Sequence, residues 1–315
     1  MVATFEGENR MARSQDYIPD PRNAHALIYL NGQLLPRTEA KVSLFDAGFV
    51  VGDGIWEGIR LHQGKLLFLD EHLDRLYWGA KQIRLDIGLD RPTLIGELKR
   101  TLAANDMRDG VHIRLMVTRG EKSAPNQDPR NALGKPTVAI VAEYKLPSPK
   151  LLAEGLSLFT ASIRCTPATM FDMRLNSHSR LNLITALLEA IEAGADEALM
   201  LDPHGFVSSC NATNFFFVSH GVVMTSTGEF CFNGITRGNV IGLCQQEGLS
   251  MELGDFTLAE ARLADEAFVT GTFGGITPVR AIDGHVLPAP LPGPLTQRLH
   301  RSYESLKDAP SAERT

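Results

Sequence analysis

Alternating and periodic apolar positions divide the chain into short strands and a few amphipathic helices. The segment ALIYLNGQLLP, which starts at Ala26, places apolar residues on both sides of an Asn-Gly pair, a strong signal for a β-hairpin. The segment GIWEGIRLHQGKLLFLDEHLDRLYWGAKQI predicts two strands around a glycine turn and then a helix, with Leu73, Leu76 and Tyr77 at helical spacing. GVHIRLMVTRG and PTVAIVAEY predict two further strands. The first half is therefore predicted to be an α/β unit.

The segment YKLPSPKLLAEG contains two prolines and little periodicity, which indicates a domain boundary. Beyond it, SRLNLITALLEAIEAGADEALMLD predicts a long helix that stops at Gly194 and is followed by a strand. Short β-rich runs (NFFFVSHGVVMTST, EAFVTGT) then alternate with the predicted helices RGNVIGLCQQEG and TLAEARLAD. The predicted organisation is an N-terminal extension (1–25), a small domain (26–147), a linker (148–155), a larger domain (156–307) and a tail (308–315).

Composition narrows the classes of function. With 315 residues, of which 43% are apolar, the chain is long enough for two domains with buried cores. A net charge of −6 and scattered arginines argue against a nucleic-acid partner. The N-terminal residues lack a signal-peptide pattern and no apolar run is long enough to span a bilayer, so neither export nor a membrane partner is expected. Four widely spaced cysteines predict reduced thiols in the cytoplasm rather than disulfides or a metal site.

Three stretches in this order resemble the class IV aminotransferases, a superfamily that includes branched-chain and D-amino-acid aminotransferases and aminodeoxychorismate lyase. They are GDGIWEGIR with EHLDRL, then GADEALMLDPHGFVSSCNATNFFF, and finally NGITRGNVI with FVTGTFGGITPV. The resemblance runs from about Ile28 to about Tyr303. It implies a two-domain α/β (α+β) fold with the cofactor pocket at the domain interface, a homodimer, and an amino or keto acid as substrate.

Gly234, Ile235 and Thr236 open a predicted helix, whose free N–H groups and dipole favour an anion such as a phosphate. The resemblance implies that this turn binds the phosphate of pyridoxal 5′-phosphate, or of pyridoxamine phosphate, together with Arg75 and Thr272. Taken alone, Arg75 would be interpreted as a solvated charge on a helix. Its place in the whole pattern favours the phosphate.

The substrate side is predicted from the same resemblance. Arg60 and Arg119 match positions where a guanidinium would hold a carboxylate, and Phe273 and Gly274 lie in the turn that follows Thr272. Arg114 is expected to point to the opposite face of its strand, so Arg119 is preferred.

The family's catalytic lysine is missing. Between Leu151 and Leu306 the sequence contains no lysine. Counting back from GADEALMLD aligns NSHSRL with the family's KxxNRL segment, so that Asn176 occupies the lysine position while Arg180 matches. An amide can neither hold the cofactor covalently nor shuttle a proton as the lysine does.

A second departure concerns the ring of the cofactor. The family's glutamate that pairs with the pyridine nitrogen is replaced by Ser209, which can form a hydrogen bond but supplies no negative charge. This second loss argues against a single engineered substitution at Asn176. Phe232 falls on the family's ring-stacking position, although a phenylalanine there could equally belong to the core.

Other polar residues map to the same region. His178 could act as a general base and Cys210 as a nucleophile, although a satisfied surface histidine and an inert buried thiol are the commoner outcomes, and Asn211 lies next to Cys210. Three functions therefore remain open: an enzyme that holds the cofactor noncovalently and works without the usual covalent link, a non-catalytic binder of the cofactor, or a cofactor-independent enzyme that uses the phosphate cup for another anionic substrate.

Overall fold

Within residues 14–309, which the computed structural model describes, the strands form two sheets, one in each half of the chain. Residues 1–13 of the predicted N-terminal extension and residues 310–315 of the predicted tail lie outside the described residues. The first sheet is antiparallel, with the strand order β2-β1-β6-β5-β3-β4. Its strands are β1 (Leu27–Leu30), β2 (Gln33–Pro36), β3 (Gly54–His62), β4 (Lys65–Leu66), β5 (Val111–Thr118) and β6 (Thr137–Tyr144).

The hairpin predicted at the Asn-Gly pair is confirmed. Asn31 and Gly32 have φ values of 48° and 89°, and they join β1 to β2. Two consecutive positive φ values are the backbone geometry that matches the twist of paired strands, and glycine adopts it at little cost.

The helices of this half are α1 (Ala47–Val51), α2 (Leu69–Gln82) and α3 (Arg91–Ala104), with short 3-10 helices at Pro21–His25 and Pro129–Asn131. Of these, α2 packs on the sheet through the apolar face that the sequence predicts. Leu73 and Leu76 of α2 are buried in the same core as Ile113 of β5. Tyr77 is partly buried against the same core, and its hydroxyl donates to the carbonyl oxygen of Leu89 at 2.8 Å. The predicted helix over EHLDRLYWGAKQ is confirmed.

The second sheet is mixed, with the order β12-β11-β10-β13-β14-β7-β8-β9 and β15 paired to β14. Its strands are β7 (Leu156–Thr160), β8 (Glu197–Leu201), β9 (Val207–Cys210), β10 (Asn214–Ser219), β11 (Val222–Ser226), β12 (Met251–Gly254), β13 (Glu266–Gly271), β14 (Gly275–Ile282) and β15 (His285–Val286). The helices are α4 (Lys150–Glu154), α5 (Leu181–Glu192), α6 (Ile235–Gln246), α7 (Leu258–Arg262) and α8 (Pro294–Asp308). The predicted helix before Gly194 is α5, and Gly194 follows its end with φ 75°.

Between the sheets, the chain runs from Tyr144 to Leu156 and contains α4, inside the segment predicted as a linker. A second connection is formed by an isolated bridge between Ile55 of β3 and Ser177, which precedes α5. Long loops from the second half therefore lie against the first sheet. No helix among residues 14–309 is long and apolar enough to cross a membrane.

Candidate functional site

A cavity of about 350 Å³ lies between the two sheets. Residues from both halves line it, as predicted for a pocket at the domain interface. Most of the residues predicted from the sequence are brought together there: Arg75, Asn176, Arg180, Ser209, Cys210, Asn211, Phe232, Gly234, Ile235, Thr236, Thr272, Phe273 and Gly274. The exceptions among the predicted residues are Arg60, Arg119 and His178, which do not line this cavity.

The N-terminal end of α6 forms one wall. No side chain caps this helix, and Ile235 and Thr236 of its first turn line the cavity. Gly234 precedes the helix, and a Cβ atom at Gly234 would collide with Oδ1 of Asn214. Glycine is therefore required by close packing, and the free end of the helix is open to an anion.

A buried ion pair holds Arg75 in the cavity wall. Its Nε and Nη2 atoms donate to the two carboxylate oxygens of Glu57 at 2.7 Å each, and Nη1 donates to the carbonyl oxygen of Asn233 at 3.0 Å. Nδ1 of His72 contacts the same carboxylate at 2.7 Å. Burial by itself raises the pKa of the Glu57 carboxyl, but the charge and hydrogen bonds of Arg75, with His72, lower the pKa overall. The sequence analysis missed Glu57, although it lies in the quoted WEGIR motif.

Asn214 connects three predicted site residues and was also missed. Its Nδ2 atom donates to the carbonyl oxygen of Phe232 at 2.6 Å and to Oγ of Ser209 at 3.1 Å, and its Oδ1 accepts from the backbone N–H of Gly234 at 3.2 Å. A buried amide satisfied on all sides fixes the segments that it joins. The sequence signal was an asparagine at the start of the apolar run NFFFV.

Asn176, which the sequence analysis aligned with the family's lysine, has hydrogen bonds to both atoms of its amide group. Its Nδ2 donates to the carbonyl oxygen of Trp56 at 2.5 Å, and its Oδ1 accepts a hydrogen bond from Nη2 of Arg180. The Arg180 guanidinium lies 5.5 Å from the ring centroids of both Trp56 and Phe232. Burial, followed by the charges of Arg75 and Arg114, lowers the pKa of Arg180 to about 10, so this side chain stays protonated at neutral pH. A fixed cation therefore accompanies the amide at the lysine position.

Ser209 and Cys210 are both buried and already have partners. The Ser209 hydroxyl donates to the carbonyl oxygen of Thr213 at 2.9 Å while it accepts from Asn214. Burial, and then the nearby Glu197, raises the pKa of the Cys210 thiol well above its usual value. This environment agrees with the inert buried thiol that the sequence analysis gave as the commoner outcome, because burial disfavours a thiolate.

The preference for Arg119 over Arg114 was wrong. Arg114 lines the cavity, with its guanidinium 3.7 Å from the Trp56 ring centroid. Arg119 instead donates to the Asp53 carboxylate at 2.6 and 3.0 Å. β5 ends at Thr118, so Arg119 lies beyond the strand where the alternation of side chains no longer applies.

His112 lies two residues before Arg114 and faces the same cavity, a further site residue that the sequence analysis missed. Burial, and then the charges of Arg60, Lys145 and Arg114, lowers the pKa of His112 to about 3. The imidazole is therefore neutral under ordinary conditions.

His178, which the sequence analysis named as a possible general base, does not line the cavity. Its backbone N–H donates to the carbonyl oxygen of Gly54 at 2.9 Å, and its Nε2 is buried without a hydrogen-bond partner among the described residues. Burial, and then the charge of Arg114, lowers the pKa of His178. A general base outside the cavity cannot reach a substrate there.

Thr270 gives an indication that the cavity accepts a polar ligand. Its Oγ1 atom is buried without a partner within residues 14–309, and Thr270 lines the cavity. Buried hydroxyl groups nearly always have a partner. In addition, the ion pairs of the described residues give Arg75 a carboxylate but include neither Arg114 nor Arg180. Two uncompensated guanidinium groups favour an anionic ligand.

Comparisons with known proteins bear on the same region. A family model described as amino-transferase class IV matches residues 54–282. A putative branched-chain-amino-acid aminotransferase of Methanocaldococcus jannaschii is 40% identical over 282 residues, which are 89% of this chain and 96% of the archaeal protein. Branched-chain-amino-acid aminotransferase-like protein 2 of Arabidopsis thaliana is 38% identical over 291 residues, or 92% of this chain and 52% of the plant protein. The chain thus spans about half the length of that plant relative.

Solved structures support the fold. The crystal structure of the branched-chain aminotransferase from Thermoproteus uzoniensis with norvaline has a TM-score of 0.80 at 32% sequence identity, and the match covers 89% of this chain and 94% of the other. The branched-chain amino acid aminotransferase from Thermobaculum terrenum, solved in its PLP-form, has a TM-score of 0.79 at 26% identity, with 90% of this chain and 94% of the other covered. The α/β fold predicted from the sequence is confirmed.

Proposed function

Because the chain belongs to the class IV aminotransferase family, we propose that it binds pyridoxal 5′-phosphate without a covalent link and acts on an amino or keto acid. The family predicted from the sequence is confirmed, whereas the ligand and the reaction are inferred. The proposal is supported mainly by one observation: the same cavity is lined by Arg75, Thr272 and the open end of α6. Asn176, proposed to stand at the lysine position, lines it as well.

The residues present fit the phosphate group. Arg75 would hold it together with the N–H groups of Ile235 and Thr236, and the Thr272 hydroxyl would contribute a further hydrogen bond. Phe232 lines the same cavity and would contact the ring. Pyridoxamine phosphate carries the same phosphate and would fit as well. When bound, pyridoxal 5′-phosphate supplies an aldehyde and an electron-withdrawing ring that weaken the Cα–H bond of an amino acid.

On the substrate side, Arg114 is the residue best placed to bind a carboxylate. It faces the cavity without a carboxylate of its own among the described ion pairs, and the neutral His112 beside it can exchange a hydrogen bond with a polar substrate. Phe273 and Gly274 close this end, with the Phe273 ring edge-on to His112 at 5.7 Å between centroids. An amino or keto acid carries the negative charge that this arrangement favours.

A protein that binds the cofactor without catalysing a reaction is the second candidate. The shifted pKa values of side chains that line the cavity favour it. Burial raises the pKa of Cys210 well above its usual value and that of Cys165 to about 12, while the pKa of His112 is lowered to about 3. Asn176 does not titrate. At neutral pH these thiols stay protonated and this imidazole stays unprotonated, so these groups of the described cavity wall are poorly suited to exchange a proton in place of the missing lysine.

The first prediction concerns attachment of the cofactor. A calorimetric titration of the protein with pyridoxal 5′-phosphate is expected to show saturable binding, because the phosphate site is complete without a lysine. Treatment with borohydride followed by intact-mass spectrometry is expected to leave the mass of the chain unchanged. A stoichiometric adduct at one lysine would refute the assignment of Asn176, and absence of any binding would refute the proposed cofactor.

Turnover separates the two candidates. The protein saturated with pyridoxal 5′-phosphate would be incubated with a panel of L- and D-amino acids, and keto acids would be measured by mass spectrometry. Keto acid formation above that of free cofactor supports the enzyme. Binding without any product across the panel supports the non-catalytic binder.

A homodimer is proposed from an exposed apolar face that adjoins the cavity. Leu181, Ile184 and Leu188 are 74%, 52% and 53% exposed along one face of α5, and Ile184 also lines the cavity. Leu44, which precedes α1, is 72% exposed, and Phe49, within α1, is 67% exposed. Contiguous apolar surface of this kind marks an interface, and twofold symmetry is the commonest arrangement.

The second prediction tests this interface. Light scattering is expected to give twice the mass of one chain, and Leu188→Glu is expected to shift the protein to the monomer, because a buried unpaired charge opposes association. Leu263→Glu is the control, since Leu263 is 80% exposed and lies outside α5. A monomer at micromolar concentration would contradict the proposal.

The four cysteines are free and buried, which supports a reducing cytoplasm as the proposed location.

A further inference from the structure

A second cavity, of about 400 Å³, adjoins the first. The two share one wall, formed by the start of α6 and the turn between β13 and β14, including Thr236 and Thr272. The remaining lining comes from three parts of the chain: Arg60 and Phe68 from the first half, the segment at Leu146–Leu152, and Tyr303 and Lys307 from α8. The cavity therefore lies where the two halves and the linker meet.

Arg60 is the main charge in this cavity. Its Nη1 donates to the carbonyl oxygen of Lys145 at 2.8 Å, and its guanidinium lies 5.8 Å from the Phe273 ring centroid. None of the ion pairs among residues 14–309 includes Arg60. Burial lowers the pKa of Arg60, and the smaller opposing effects of Tyr303, Asp109 and Glu304 do not offset it. A partly buried cation without a carboxylate in direct contact favours a ligand that supplies a negative charge.

The lysine and the glutamate that line the cavity are paired with each other, and a histidine of the lining is hydrogen-bonded. Lys307 binds Glu304 at 2.7 Å, and His62 binds Asp308 at 2.8 Å. These pairs leave Arg60 as the uncompensated charge. The volume of the cavity and the charge of Arg60 thus point to the same type of ligand.

We propose that the second cavity is a binding site for a small metabolite that carries a carboxylate or phosphate group, held by Arg60. Its volume falls in the range of ordinary small-molecule sites. The proposal goes beyond the function proposed above and does not depend on it, because Arg60 and Glu304 line the second cavity and not the first.

The third prediction uses calorimetric titrations of the full chain with inorganic phosphate and, separately, with acetate. Arg60→Met is expected to weaken the affinity for at least one of these probes by about tenfold or more, because a charge-assisted hydrogen bond is lost. Glu304→Gln is expected to strengthen it by about two- to fivefold, because a competing negative charge is removed. The probe whose affinity depends on Arg60 identifies the group that the site prefers.

Arg108→Met is the matched control, since the Arg108 side chain is 86% exposed and Arg108 lines neither cavity. Its titrations should match those of the unchanged chain, and thermal melting would verify that each variant is folded. Affinities that are the same in folded Arg60→Met, Glu304→Gln and Arg108→Met would overturn the proposal. If Arg60→Met does not fold, Glu304→Gln decides alone: tighter binding supports the site, and unchanged binding refutes it.

Discussion

Replacing Arg75 by methionine is expected to lower the free energy of unfolding by about 3–5 kcal/mol, the range measured when one partner of a buried ion pair is removed. The reason is that the Glu57 side chain is fully buried and Arg75 satisfies both of its carboxylate oxygens. Without Arg75, the carboxylate keeps only His72 as a partner. Urea unfolding followed by circular dichroism would measure the change.

The double variant Glu57→Gln, Arg75→Met provides the internal comparison. It should recover a large part of the loss, because an uncharged amide is much less costly to bury than an unpaired carboxylate. Arg174→Met is the surface control: this arginine pairs with Asp172 at 2.8 Å and is 46% exposed, so a loss below about 1 kcal/mol is expected. Equal effects of Arg75→Met and Arg174→Met would show that Glu57 does not depend on its pairing with Arg75.

The double change Asn176→Lys, Ser209→Glu is expected to convert noncovalent binding into covalent attachment of pyridoxal 5′-phosphate. Asn176 is 5% exposed and lines the cavity, so an amine introduced there enters the space beside the phosphate site. The charges of Arg180 and Arg114 should lower the pKa of that amine and increase its neutral, reactive fraction. The glutamate would supply the negative charge that Ser209 lacks. Borohydride reduction and mass spectrometry should then detect one reduced cofactor per chain.

Ser179→Lys is the matched control for this experiment. Ser179 lies three residues from Asn176 on the same segment, but it is exposed and does not line the cavity. It should give no stoichiometric adduct, and neither should Ser209→Glu alone. If the double variant folds and binds the cofactor but remains unlabelled, the side chain at position 176 does not reach the reactive end of the ligand. The proposed position of the cofactor in the cavity would then be wrong.

Several features of the site follow from the sequence because they depend on nearby residues. The glycine turn and uncapped helix start at Gly234 are local, and α6 begins where the pattern predicts. The proposal that Asn176 stands where the family has its lysine comes from counting along one continuous segment to GADEALMLD, without knowledge of contacts. The hairpin at Asn31 and Gly32 is equally local, since its backbone geometry depends on two adjacent residues.

The choice between Arg114 and Arg119 required the tertiary structure. In the sequence, both arginines lie in what looks like one continuous strand, whose side chains would alternate between the two faces of the sheet. In the structure β5 ends at Thr118, so this alternation does not extend to Arg119. Arg119 forms an ion pair with Asp53 instead and does not line the cavity. Likewise, the burial that makes Cys210 inert comes from segments distant along the chain.

By itself, the sequence determined the family and the order of the elements, and it led to the proposals of a phosphate-binding turn and of an asparagine where the family has its lysine, because each is encoded in a short run of residues. Only the tertiary structure decided how the site is held. Glu57 meets Arg75 across 18 positions, and Asn214 meets Gly234 across 20. Asn176 meets Trp56 across 120. Hydrogen bonds between distant segments leave no periodic signal in the chain, since they depend on how strands, helices and loops pack in three dimensions.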